Sequence, residues 1–124
     1  MWWQVGFAGL SGAVMVAMGA WASHGATGQA RDWIEIGARY GLWHSIALLA
    51  VAAIAARAGK SRLPTLAGAV FAAGIVLFSG SLFLRALTPL AWVAPATPLG
   101  GLAFIAGWLL LAVWGVRMYL DQAE

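Results

Sequence analysis

Four apolar runs constrain this chain more than any motif does: about Trp3 to Ala22, Tyr40 to Ala56, Pro64 to Leu84 and Pro98 to Val116. A helix rises about 1.5 Å per residue, so about twenty apolar residues cross roughly 30 Å of hydrocarbon. The runs are continuous rather than alternating and rich in Ala, Leu and Gly, which argues for helices and against the strands of a barrel. The expected fold is therefore an all-α integral membrane protein, a four-transmembrane-helix bundle forming one domain over residues 1–124.

Charge supports that class. Only 9% of residues are charged, and the net excess of +3 comes from Lys and Arg scattered along the chain, not from a basic face that would grip nucleic acid. No cysteine is present, which excludes disulfides, thiolate metal sites and cysteine nucleophiles. The segment Met1 to Gly6 carries no Lys or Arg ahead of the first run, so that run is expected to be a retained span and not a secretory signal.

Four spans place Arg57, Lys60, Arg62 and Arg117 on one side and Arg31, Arg39 and Arg85 on the other. Lys and Arg near span ends favour the cytoplasm, so the AARAGKSR loop and both termini are expected inside a bacterial plasma membrane. Between the first two runs, Arg31, Glu35 and Arg39 recur at i, i+4 while Trp33, Ile36 and Tyr40 form the opposite face. This spacing predicts a short amphipathic interfacial helix over Gln29 to Arg39, running into the second span, with Arg31, Trp33, Glu35, Arg39 and Trp43 as anchors. In the proline-rich segment LTPLAWVAPATP, Thr97-Pro98 reads as an N-cap followed by proline at the first helical position.

Membrane helices associate through close backbone approach and interhelical polar contacts, which favours small residues on the buried side. The first span offers Gly6, Gly9, Ala13, Ala17 and Ala20, then His24; the second offers Gly37 and Gly41, then His44; the third carries Gly74, Phe78, Ser81 and Arg85. These patterns predict a polar cluster of His24, Tyr40, His44, Ser79, Ser81 and Arg85 at the outer mouth of the bundle. Its two readings are structural ties between helices and a binding site for a lipid headgroup, small molecule or ion. The small-residue stripes also leave a homo-oligomer open.

Catalysis has little to work with. No plausible serine or cysteine nucleophile is paired with a base, no carboxylate lies inside a span, and Asp32 and Glu35 precede the second run. Two histidines do not make a zinc motif or a convincing haem pair, so no catalytic residue, metal or cofactor is expected. A proton-coupled small exporter would need an intramembrane carboxylate. The expectation is a non-enzymatic structural or accessory bundle in contact with membrane lipids, with a transporter or binding protein as the alternative.

The stretches AWASHG, RYGLWHSIALL, LFSGSLFLRAL and TPLGGLAFIAGWLLLAV, in that order over nearly the whole chain, resemble the YgdD-like family of small bacterial inner-membrane proteins, a domain of unknown function similar to the transmembrane protein 256 group. The resemblance implies four helices in the plasma membrane and matches His24, Gly25, Tyr40, His44, Ser79, Gly80, Ser81, Thr97, Pro98, Gly100 and Gly101. The chain departs from the family's pattern at Arg39, where Gln or Glu is usual, and at Arg85, where an apolar residue is usual.

Overall fold

The computed structural model describes residues 2–124. Helix α1 spans Trp2–His24 and α2 spans Gly28–Ala55. The third span, Leu63–Leu87, consists of α3 (Leu63–Gly74), a π-helical turn (Ile75–Ser79) and α4 (Gly80–Leu87). Helix α5 spans Ala96–Ala123. All four spans are long and apolar enough to cross a membrane, and no strand occurs among the described residues.

The turns follow from local chemistry. Gly28 enters α2 at φ +62°, a left-handed conformation that a residue without Cβ adopts at little cost. Pro64 sits in the first turn of α3, where its missing N–H would lack a helical partner in any case.

Helix α1 packs along α2, α2 along the third span, and α5 against the third span rather than against α2. The core gathers Met15, Val51, Phe71, Ile75 and Phe104. Glycines make the close approaches. A Cβ on Gly100 would run into the backbone and Cβ of Phe78, one on Gly107 into the ring of Phe71, and one on Gly41 into Met15 and Ser79. Hydroxyls add the polar contacts expected between membrane helices: Ser11 and Ser45 join α1 to α2 at 2.7 Å, Ser79 donates to the Gly37 carbonyl at 2.6 Å, and Ser81 and Thr97 join α4 to α5 at 2.6 Å.

Three expectations need correction. No separate interfacial helix forms: Gln29 to Arg39 is the first part of continuous α2, and its packing face carries Ile34, Gly37 and Ala38, all buried against the bundle. The α1 stripe of Gly6, Gly9, Ala13, Ala17 and Ala20 faces outward, while Gln4, Ala8, Ser11, Met15 and Ala22 face inward. Thr97 does not cap α5, which begins at Ala96 without a side-chain cap; its hydroxyl is taken by Ser81.

Candidate functional site

Because Gly100 and Gly107 draw α5 onto the third span, α5 stands apart from α2 and a groove of about 1200 Å³ opens between them. One wall is Ile36, Arg39, Tyr40, Trp43 and Ile46 of α2, and the other is Pro98, Gly101, Leu102, Ile105 and Trp108 of α5. His44, Phe78 and Phe104 form the floor.

His44 bridges the two walls. Its Nδ1 lies 2.7 Å from the Tyr40 carbonyl oxygen, and the indole N–H of Trp108 donates to its Nε2 at 3.0 Å. Indole nitrogen only donates, so Nε2 accepts and Nδ1 carries the proton given to the carbonyl. Both ring nitrogens of a neutral imidazole are thus used. The ring stacks on Phe104, centroids 3.6 Å apart and planes 9° from parallel, and meets Phe71 edge-on at 5.3 Å. Sixteen residues separate His44 from the start of α2 and eleven from its end, about 24 Å and 16 Å along the axis. It therefore lies one to two turns below Arg39 and Tyr40 at the outer mouth, not level with them.

The other predicted residues divide among different neighbourhoods. Tyr40 leans on Trp43 and Phe78 at the groove rim, with centroids 5.1 and 5.3 Å away. Ser79 is tied to Gly37 and Ser81 to Thr97, both behind the groove. Arg85 lays its guanidinium over the Trp33 ring, 4.2 Å from the centroid. His24 is exposed at the end of α1 and has no hydrogen bond to His44, Tyr40 or either serine among the described residues, so a single network joining the two histidines does not form. Of the anchors, Arg31 pairs with Glu35 at 2.9 Å, Trp43 is half-exposed, and Arg39 is exposed at the groove rim.

Sequence reasoning missed Trp108 and Phe104, the partners of His44. Their signal was the Phe-x-x-x-Trp spacing in the fourth run, which puts both rings on one face of a helix, but nothing in the sequence says that this face meets His44.

Four spanning helices, an apolar interior and a lateral groove define a small multi-pass membrane protein. The chain belongs to the family described as Protein of unknown function (DUF423), which it matches over residues 18–101. It is 37% identical over 106 residues to the UPF0382 membrane protein YwdK of Bacillus subtilis, covering 82% of this chain and 86% of that one. A UPF0382 membrane protein of Haemophilus influenzae is 41% identical over 107 residues, covering 83% and 85% of the two chains. The UPF0382 inner membrane protein YgdD of Escherichia coli K12 is 38% identical over 118 residues, covering 90% and 88%. No solved structure matches the chain.

Proposed function

We propose that this protein is a non-enzymatic membrane bundle that holds an apolar chain from the surrounding bilayer in the α2–α5 groove. The observation that carries this reading is the groove itself: about 1200 Å³, open to the side, with walls of Ile, Leu, Trp and Pro. Concave, largely apolar surfaces with a few placed polar groups are the usual form of small-molecule sites. The His44–Trp108 bond supports a binding role over a reactive one, because an imidazole with both nitrogens occupied has none left for a substrate. The apolar core around Phe71, Ile75 and Phe104 also favours a bound chain over a water-filled transport path.

Gly101 gives a clean test. A Cβ there would meet only Phe78 Cδ2, at 3.9 Å, an ordinary contact, so Gly101→Leu can place its bulk in the groove that Gly101 lines. Native mass spectrometry of the gently solubilised protein should show retained lipid on the wild type and markedly less on Gly101→Leu. Equal retention by both would defeat the reading.

The same reading places the plasma membrane around the spans, with the 56–62 loop and both termini in the cytoplasm, supported by Arg57, Lys60 and Arg62 in or beside that loop. With no native cysteine, Lys60→Cys and Arg31→Cys can each be probed with a membrane-impermeant maleimide in intact cells. Labelling of Lys60→Cys but not Arg31→Cys would reverse the orientation.

A further inference from the structure

We propose that the groove's occupant is an anionic glycerophospholipid of one leaflet, with its phosphate at Arg39 and an acyl chain running down to Trp108. This rests on the groove being a lipid site and adds which lipid it selects.

Length is the first argument. Along α2 the wall runs from Ile36 to Ile46 and along α5 from Pro98 to Trp108, each ten residues and so about 15 Å. The hydrocarbon core of a bilayer is about 30 Å thick, so the groove, including the turn above Arg39, stays within one leaflet. A lipid lying in a single leaflet matches that depth, whereas a partner's spanning helix would run on past Trp108 and leave half its length without a groove.

Charge is the second. Three arginines lie towards this end of the bundle, and two are occupied: Arg31 by Glu35 at 2.9 Å and Arg85 by the face of Trp33. Arg39 has neither a carboxylate partner nor a ring beneath it among the described residues, and it stands on the groove rim. Five residues separate it from His44, about 7.5 Å along the helix, so its charge sits at the mouth and the apolar floor begins one to two turns deeper. Beside it, Trp43 and Tyr40 carry an indole N–H and a phenol O–H that no group of the described chain accepts, at the level where aromatic side chains meet headgroups. A guanidinium with two neighbouring donors matches a phosphate diester bearing no compensating ammonium.

The test is a competition in mixed micelles between phosphatidylglycerol and phosphatidylcholine with identical acyl chains, read by native mass spectrometry on the full chain. Wild type should retain phosphatidylglycerol about tenfold over phosphatidylcholine, the ratio expected when the uncompensated headgroup charge gains about 1.4 kcal/mol more at Arg39 than the zwitterionic one. Arg39→Gln should bring the ratio close to one with total lipid unchanged, and Arg39→Lys should fall between. Arg117→Gln, on the exposed far end of α5, should leave the ratio at the wild-type value. A wild-type ratio near one while Gly101→Leu still strips both lipids would overturn the headgroup assignment and leave the groove reading standing. Persistence of the preference in Arg39→Gln would do the same. If neither lipid is retained, or if Ile105→Cys cross-links two copies through the groove, the occupant is not a lipid and both statements fall.

Discussion

Two glycine-bearing faces of this molecule look alike in sequence and behave oppositely in space. On α1, a Cβ at Gly6, Gly9 or Gly12 would meet nothing, while on α5 a Cβ at Gly100 or Gly107 would collide with the third span. Small residues permit close approach but do not choose the partner. What separates the two faces is the opposite side of each helix. The inward side of α1 carries Gln4 and Ser11, which bond to Thr65 and Ser45, and this fixes α1's rotation with its glycines outward. Helix α5 has few such groups and is seated by its glycines and Phe104 instead.

The contrast can be broken by substitution, and the largest expected effect is at Gly100. Gly100→Ala should cost about 2–3 kcal/mol, since the new carbon meets backbone rather than a movable side chain. Reversible unfolding in mixed detergent would measure it, and a loss below about 0.5 kcal/mol would mean that α5 is not held by that contact. Next comes Trp108→Phe, which strips His44 Nε2 of its donor at an expected cost of about 1–2 kcal/mol. A double-mutant cycle with His44→Leu sharpens this, because once both partners are gone much of the penalty should disappear. Additive losses would show that the hydrogen bond contributes nothing. Ser79→Ala should cost about 1 kcal/mol through the bond to Gly37, read in the same assay. At the small end, Gly9→Ala and His24→Leu should each stay within about 0.5 kcal/mol. A clear loss at Gly9 would show that the α1 face is covered in the membrane.

The span count, the helical class and the family were legible because a bilayer permits few backbone solutions and long apolar runs announce one of them. Helix rotation was not. Spacing places Gly6, Gly9 and Ala13 on one face of α1 as firmly as Gly37 and Gly41 on α2, and it takes the long-range bonds of Gln4 to Thr65 and Ser11 to Ser45 to say which face turns inward. The polar cluster failed for the same reason. His24 and His44 each end or follow a small-residue stripe, but the α1 stripe faces outward and carries His24 with it. Arg39 and Trp43 were singled out as interfacial anchors, and Tyr40 as part of the polar cluster, from their place at the edge of an apolar run. Trp108 was not, because its role depends on α5 lying beside the third span and leaving α2 open.

The π-helical turn at Ile75–Ser79 deserves to be seen as a phase shift in the third span. Gly80 N–H reaches back five residues to the Ile75 carbonyl instead of four. One surplus residue in a helix of about 3.6 per turn rotates everything beyond it by about 100°. Deleting a residue within Ile75–Ser79 would restore a straight helix and swing Ser81 away from Thr97, and Arg85 away from Trp33, although neither pair lies in the turn. The stacking of Arg85 on Trp33 holds that arginine against the start of α2, away from the groove whose rim carries Arg39. Contacts made by the far half of the third span are therefore set by an angular offset built into residues that make none of them.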